Sequence, residues 1–339
     1  MDLKMSLKGL LAAVELLKKN LKRREGLANM LSRVKKNTGR DWRLLFLAFR
    51  PWSFFMTGVS VMVGSLAALL MQGRLNLALA ALAFLGVTAI HASANILNDY
   101  FDTLYGVDKP GAPTTFYRPH PLIEKIFTPR EVVFISVLFN VAAASVGAYL
   151  VMLRGWTVAI IAGIGAFVGV AYTAEPMKYK YHCLGELVTF LIWGPLITFG
   201  AYFVQTGNWC GATAVFFISV PQGILVALVL LANNLRDVQD DLAANIRTVA
   251  TWLGKEKALK LFIAMIFIVY LFSGMGILLG FLPAWAFLVF LSVPQALRLV
   301  NTFVKEAVIP QNADPLAGRL NLTYGALLVL SLLLGSFLV

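Results

Sequence analysis

Apolar stretches of about 20 residues, the length that crosses a bilayer as a helix, recur along the chain after residue 43. Of the 339 residues, 59% are hydrophobic and 14% are charged, against about 25% charged in soluble domains. The sequence therefore predicts an all-α polytopic membrane protein with nine transmembrane helices. The predicted spans are residues 44–72, 75–105, 130–152, 156–174, 186–205, 209–236, 257–280, 282–304 and 320–338.

Lysine and arginine are distributed unequally between the two sides of this layout. Of 29 such residues, 26 fall in the N-terminal segment or in the loops and helix ends of one side. Arg74 and Arg154 lie on the other side, and Arg50 lies inside the first predicted span. Because cytoplasmic loops carry the basic excess, we expect a cytoplasmic N-terminus, an external C-terminus and a plasma-membrane location. The net charge of +12 then requires no nucleic-acid partner.

The N-terminal segment, residues 1–43, is set apart from the predicted membrane domain, residues 44–339. Leu7, Leu10, Leu11, Val14 and Leu17 recur at helical spacing, and a run of lysines and arginines follows them. Such a basic amphipathic helix can lie on an anionic membrane surface. A partly ordered cytoplasmic tail is the alternative interpretation.

Two similar polar clusters end the second and the sixth predicted spans. "ANILNDYFD" at 94–102 aligns without gaps with "ANNLRDVQD" at 232–240, and both spans run from outside to inside. At about 100° per residue, each cluster forms one polar face of its helix. The two faces consist of Asn95, Asn98, Asp99 and Asp102, and of Asn233, Asn234, Asp237, Asp240 and Asp241. This repeat predicts that the two faces lie opposite each other.

Carboxylates at these positions require positive charge nearby. They stand at the C-terminal ends of helices, where the helix dipole disfavours anions, and two facing carboxylate clusters repel each other. Oxygen ligands without histidine or cysteine favour Mg²⁺, which commonly bridges carboxylates to substrate phosphates. All 17 Asp and Glu residues fall on the cytoplasmic side, so we expect the chemistry to take place there.

Basic residues on the same side are candidates for binding phosphate. Arg50, in "AFRPWSF", is a functional candidate because an arginine inside a membrane is costly unless it is used. Arg118 follows the first cluster, and "YTAEPMKYKYHCLGE" supplies Lys178 and Lys180 with Tyr172 before them. Arg236 and Arg247 flank the second cluster.

Several of these motifs together resemble the UbiA superfamily of intramembrane prenyltransferases. The resemblance rests on "FRPWSF", "NDYFDTLYGVD", "YTAEPMKYKYHCLGE", and "RDVQDDLAANIRT" with "WLGKEKA", and it extends from residue 44 to the last helix. The spacing is most similar to the menaquinone branch, dihydroxynaphthoate prenyltransferase and its vertebrate relative. In the wider superfamily the first motif is shorter, whereas here five residues, including Gly106, separate Asp102 from Asp108.

The resemblance implies a role for each matching residue. The implied Mg²⁺ ligands are Asn98, Asp99, Asp102, Asp108, Asp237 and Asp241, with Asp99 and Asp108 as the weaker members. The implied substrate-binding residues are Arg50, Asn95, Arg118, Lys178, Arg247 and Asn234. The implied catalytic residues are Asn98, Asp102, Tyr172, Lys178, Asp237 and Asp241, with Tyr172 beside the reacting carbon.

The resemblance also implies the reaction and the surroundings of the site. A prenyl group would be transferred from an isoprenyl diphosphate to a dihydroxynaphthoate-like acceptor, in a central cavity under cytoplasmic cap loops that opens sideways to lipid. Other acceptors within the class are 4-hydroxybenzoate, a haem or geranylgeranylglyceryl phosphate. A transporter of diphosphate lipids is the alternative from another class, although the repeat keeps one orientation, whereas transporter repeats are commonly inverted.

Overall fold

The protein is a bundle of long α-helices. The computed structural model describes residues 42–111, 115, 118–305 and 308–338. The basic segment predicted at residues 1–43 therefore lies almost wholly outside the described residues. The chain divides into two units, Met1–Phe46 and Leu47–Val339, and the second contains every long helix described below. These helices are α1 (Pro51–Gln72), α2 (Leu77–Leu104), α3 (Pro129–Arg154), α4 (Trp156–Ala171), α5 (Gly185–Thr206), α6 (Ala212–Ala243), α7 (Lys255–Leu278), α8 (Ala284–Lys305) and α9 (Ala313–Phe337).

Eight of these helices are long and apolar enough to cross a membrane, and α4 is the shorter one. Its 16 residues rise about 24 Å, less than the roughly 30 Å of a hydrocarbon core. It nevertheless runs along α2, since Val158 shares a buried cluster with Leu79 and Gly169 lies against Ile90. The all-α membrane fold is confirmed, whereas the count of nine spans stays a prediction that this packing supports.

The first predicted span is wrong at its start. A short helix, Trp42–Ala48, precedes α1, and Arg50 stands in the break between them with φ 56° and ψ 54°. The residue before a proline is sterically disfavoured in the right-handed helical region, and here Pro51 follows Arg50. Arg50 therefore lies at the entry of α1, not several residues inside a helix.

Helix α6 is the central element of the core. It packs against α7 and α9, and its side chains Leu225, Leu228 and Leu231 are at most 1% exposed. It crosses α5 at Gly194 and Gly223, where a Cβ on Gly223 would lie 2.6 Å from the carbonyl oxygen of Phe190. The two backbones touch there, within a π-helical turn of α5 (Ile192–Leu196). This contact fixes α5 and α6 against each other within the membrane.

Candidate active site

A cavity of about 710 Å³ extends into the bundle from the ends of α2 and α6. Its polar end is lined by both predicted clusters and by the start of α9. Away from this end it continues as an apolar arm between α2, α3, α4 and α5. The bounds of α6 explain why the second cluster reaches the cavity, because the helix continues to Ala243 instead of ending at residue 236.

Asp102, in the first cluster, accepts three side-chain hydrogen bonds at the polar end of the cavity. Its Oδ2 accepts hydrogen bonds from Lys180 Nζ at 2.6 Å and from Asn98 Nδ2 at 2.9 Å, and its Oδ1 accepts one from the Tyr181 hydroxyl. Lys180 also donates to Asn98 Oδ1 at 3.0 Å. Burial, followed by the Asp102 charge, raises the pKa of Tyr181, so the phenol remains a donor at neutral pH.

Asp99, by contrast, is not among the residues that line the described cavity. It is fully buried, and Arg118 donates to both of its carboxylate oxygens at 2.9 and 2.7 Å while Arg50 donates to Oδ1. Its oxygens also lie within 4.8 Å of ligand atoms of Asp108 and His120. A metal ion there would stand beside two guanidinium groups, which repel it. This geometry argues against the prediction that Asp99 binds Mg²⁺ and indicates that Asp99 holds the two arginines.

We expect the Asp99→Asn substitution to destabilise the fold. It removes the charge that two buried or half-buried guanidinium groups share, and breaking such a pair costs about 3–5 kcal/mol. Thermal unfolding of the purified protein in detergent would measure the effect. Asp240→Asn is the matched control, because Asp240 is exposed on α6. Equal midpoints for the two variants would contradict the assigned role.

Asp108 does line the cavity, after a turn through Gly106 with φ 74°. Fully buried His120 supports it, with Nε2 at 3.1 Å from Asp108 Oδ2. The other ring nitrogen, Nδ1, accepts hydrogen bonds from the backbone N–H groups of Leu122 and Ile123. The ring hydrogen therefore sits on Nε2 and points at the carboxylate.

The second cluster is organised around Arg236, which the sequence marked only as a flanking residue. Its guanidinium group donates to both oxygens of Asp237, at 2.6 and 2.7 Å, and to Asp314 Oδ1 at 2.5 Å. Asn233 donates to Asp237 Oδ2 at 3.2 Å, and Asn234 donates to Glu186 of α5 at 2.9 Å. Asp241 is buried, and its Oδ2 makes no hydrogen bond among the described residues.

The two clusters meet at the polar end of the cavity. Asp241 interacts electrostatically with Lys180 and Asp102, so the lysine lies near carboxylates from both helices. Asp102, Asp108, Asp237, Asp241 and Asp314 all line the same space. The proximity inferred from the repeat is therefore observed.

Of the other predicted site residues, five line the cavity and two do not. Arg50, Asn95, Arg118, Asn234 and Tyr172 line the cavity. Asn95 donates to the Phe49 carbonyl and to Ser53, and the pKa of the Tyr172 phenol is raised mainly by burial.

Lys178 and Arg247 are not among the residues that line the described cavity. Lys178 pairs with Glu175 at 2.6 Å and stands over the Tyr105 ring, and that pairing raises the pKa of the lysine. Arg247 is exposed. Lys180, in the turn Tyr179–Tyr181, lines the cavity and bonds Asp102, which is the position that the prediction gave to Lys178.

Sequence reasoning missed four residues that hydrogen-bond to predicted residues of the site. His120, Tyr181, Glu186 and Asp314 lie outside the two repeated motifs. Asp314 had one available signal, an acidic residue in the first turn of α9, but the predicted span began at residue 320. No local pattern distinguishes the other three from ordinary loop or helix-end residues.

A helical membrane bundle that joins a carboxylate-rich chamber to a long apolar arm has the architecture of an intramembrane prenyltransferase. The profile described as the UbiA prenyltransferase family matches residues 57–308, and the chain belongs to this family. The resemblance noted from the motifs is thereby confirmed, and the protein is a prenyltransferase enzyme.

Several known prenyltransferase sequences align with this chain over most of their length. The 1,4-dihydroxy-2-naphthoate octaprenyltransferase of Bacillus subtilis is 26% identical over 87% of this chain and 94% of its own. The UbiA prenyltransferase domain-containing protein 1 of Mus musculus is 31% identical over 87% and 86%. The 2-carboxy-1,4-naphthoquinone phytyltransferase of Synechocystis is 28% identical over 76% and 82%.

Solved structures with a similar fold are more distant in sequence. A UbiA homologue from Aeropyrum pernix superposes with a TM-score of 0.63 at 17% identity, covering 81% of this chain and 97% of that one. A UbiA homologue from Archaeoglobus fulgidus, bound to GPP and Mg²⁺, has a TM-score of 0.60 at 15% identity, covering 84% and 99%. These similarities establish the fold.

Proposed function

We propose that this enzyme transfers a polyprenyl group from an isoprenyl diphosphate to a dihydroxynaphthoate-like acceptor in menaquinone biosynthesis. The observation that carries the proposal is the junction of two carboxylate clusters with Lys180 at the head of an apolar arm. Such a space accommodates a charged head and a long apolar tail at once. The naphthoate and naphthoquinone relatives support the choice of acceptor.

The donor set fits Mg²⁺. Asp102 and Asp237 approach from different helices with Asn98 beside Asp102, and buried Asp241 Oδ2 lacks a hydrogen-bond partner in the described part of the chain. Carboxylate and amide oxygens are the ligands of a hard divalent ion, so we assign Asn98, Asp102, Asp237 and Asp241 to it, with Asp108 next to them. When bound, Mg²⁺ supplies positive charge to the diphosphate leaving group.

The chain's own cations complete the binding of the diphosphate. Lys180, Arg50 and Arg118 line the chamber and present positive charge to phosphate oxygens as the allylic C–O bond breaks. The apolar walls and the Tyr172 and Trp193 rings exclude water from the resulting allylic cation. The ring carbon that bears the carboxylate then attacks the allylic cation and forms the C–C bond, and loss of CO₂ from that same carbon returns the electron pair of the C–COO⁻ bond to the ring.

The acceptor carboxylate has a suitable partner in Arg319. This exposed arginine lines the cavity from α9. We assign the polar end of the cavity to the cytoplasmic face, which follows from the excess of basic residues on that side. The plasma membrane is the proposed location.

Assays of the purified protein test the function directly. We expect a prenylated naphthoquinol, which air oxidises to the quinone, and inorganic diphosphate from 1,4-dihydroxy-2-naphthoate and a prenyl diphosphate with Mg²⁺, and neither after EDTA treatment until Mg²⁺ is restored. Mass spectrometry identifies the product. If the enzyme reacts only with 4-hydroxybenzoate, a haem or geranylgeranylglyceryl phosphate, it belongs to another branch of the family. Movement of intact diphosphate lipid across vesicles without release of diphosphate would support a transporter instead.

A further inference from the structure

Arg50 has a backbone conformation that residues other than glycine rarely adopt. Its φ of 56° and ψ of 54° lie in the left-handed region, which is costly for a residue with a Cβ. Such a conformation persists only where the surrounding contacts hold it, and residues of this kind cluster at functional sites. The hydrogen bonds around this break in the chain therefore bear on how Arg50 is presented to the cavity.

The main chain is held by hydrogen bonds on both sides of the break. Ser53 donates to the Arg50 carbonyl twice, from its backbone N–H and from its hydroxyl, each at 2.8 Å. The backbone N–H of Arg50 donates to the Leu47 carbonyl at 3.1 Å. Asn95 of α2 donates to the Phe49 carbonyl, also at 3.1 Å. The peptide groups next to Arg50 thus have defined partners.

The Ser53 hydroxyl uses all of its hydrogen-bonding capacity. A hydroxyl has one hydrogen to donate and two lone pairs that accept. The hydrogen goes to the Arg50 carbonyl, and the oxygen accepts from Asn95 Nδ2 at 3.1 Å. His91 Nε2 lies 3.3 Å from the same oxygen, and it is the donor because the Ser53 hydrogen is already committed. Ser53 therefore joins two side chains of α2 to the carbonyl of Arg50.

His91 is itself held in one orientation. Its Nδ1 lies 2.9 Å from the Thr57 hydroxyl, which donates because the ring hydrogen is on Nε2. The ring packs edge-on against Phe54 and Trp193, with centroids 5.4 and 5.0 Å away. His91 lines the cavity, but both of its nitrogens are bonded to hydroxyl groups. This geometry makes the histidine a fixed donor to Ser53 and not a group that exchanges protons with a substrate.

The Arg50 side chain extends from the break to the polar end of the cavity. It lines the cavity, 23% of the side chain is exposed, and it donates to Asp99 Oδ1. Arg50 Nε makes no hydrogen bond among the described residues. Asp99 therefore holds one end of this side chain, and the hydrogen-bonded break determines where the other end leaves the backbone.

We propose that Ser53 and His91 are positioning residues, which hold the left-handed break at Arg50 so that its guanidinium group faces the diphosphate of the donor substrate. This proposal rests on the proposed function, because it takes the diphosphate as the ligand at the polar end of the cavity. His91 acts through the Ser53 hydroxyl, and Ser53 acts through the Arg50 carbonyl. Neither residue has to contact the diphosphate in this role.

The test measures the binding of inorganic diphosphate with Mg²⁺ by calorimetry on the purified protein in detergent. We expect Ser53→Ala to raise the Kd by about tenfold, because a group misplaced by about 1 Å can cost up to about a hundredfold. The KM for prenyl diphosphate is expected to rise in parallel, whereas the KM for the acceptor stays unchanged. Ser53→Thr keeps the hydroxyl and is expected to retain the wild-type Kd.

Ser65→Ala is the matched control for loss of a hydroxyl from α1. Ser65 does not line the described cavity, and its hydroxyl makes no hydrogen bond among the described residues. We expect this variant to keep the wild-type Kd. His91→Phe is the second test variant, because it keeps a ring of similar shape but removes the donor to Ser53, and we expect its Kd to rise as well.

A double-mutant cycle determines whether Ser53 acts through Arg50. In an Arg50→Gln background, Ser53→Ala is expected to change the Kd by less than about twofold, because the group that it positions is already absent. An equal rise in both backgrounds would show that Ser53 acts independently of Arg50, which contradicts the proposal.

The remaining outcomes separate this proposal from the proposed function. Unchanged Kd and KM for the diphosphates in folded Ser53→Ala and His91→Phe proteins overturn the positioning role, while prenyl transfer by the wild type still supports the proposed function. A wild-type protein that neither binds diphosphate nor transfers a prenyl group refutes the proposed function, and the positioning role with it.

Discussion

Asp241→Asn is expected to lower kcat by about a hundred- to a thousandfold, the range for loss of one preorganised electrostatic group. Asp241 is buried at the polar end of the cavity, and its Oδ2 makes no hydrogen bond in the described part of the chain. An amide there retains the shape but removes the negative charge that the proposed Mg²⁺ site requires. Release of diphosphate under saturating substrate measures the effect, and titration with Mg²⁺ measures the weakened binding of the ion.

The neighbouring residue provides the control for this experiment. Asp240 is exposed, and it does not line the described cavity, although it is the residue that matches Asp102 in the repeat. We expect Asp240→Asn to retain nearly full activity. If both variants lose activity equally, net charge at the end of α6 matters and the specific placement of Asp241 does not.

Lys180→Gln is the second substitution with a large expected effect, a loss of about a hundredfold in kcat/KM. Lys180 bonds Asp102 and Asn98 in a largely buried position, with 18% of its side chain exposed. Removing one partner of a buried, hydrogen-bonded charge pair leaves the other uncompensated. The substitution also removes the cation that we propose for the diphosphate. Rates measured over a range of prenyl diphosphate concentrations separate kcat from KM.

Lys178→Gln is the matched control, two residues away in the same loop. Lys178 pairs with Glu175, whose side chain is 60% exposed, and pairs of this kind contribute little. We expect less than about a threefold change in kcat/KM. A larger loss in Lys178→Gln than in Lys180→Gln would restore the role that motif resemblance gave to Lys178.

The comparison of these two lysines shows what the sequence could determine. Helical periodicity predicted one polar face of α2, and Asn95, Asn98 and Asp102 of that face line the cavity, because the period fixes direction along a regular helix. Asp99, predicted on the same face, does not line it and binds Arg118 instead, because the predicted arc of about 100° is wider than the cavity. Lys178 and Lys180 lie in an irregular segment around a short turn, where no period relates sequence to direction. The same reason hid His120, which follows Arg118 in a loop and acts through its contact with Asp108.

The bounds of transmembrane helices were predicted well where apolar composition alone determines them. They were predicted poorly where a single residue changes the backbone conformation. Pro51 moved the start of α1 and placed Arg50 outside the helix. The polar beginning of α9, with Asp314 and Arg319, fell below the hydropathy expected of a span, although it is helical from Ala313. Tertiary contacts, here Arg236 with Asp314, support helix turns that composition does not reveal.

The contact of Gly194 with Gly223 limits which substitutions this sequence can accept during evolution. Main-chain atoms of α5 and α6 meet there, so even a methyl group requires the two helices to move apart. Those helices carry Glu186 and Asn234, whose hydrogen bond lies at the polar end of the cavity. Single substitutions can change the side chains that line the cavity one at a time. A substitution at the crossing of α5 and α6, in contrast, also changes the distance between the two helices that carry residues of the site.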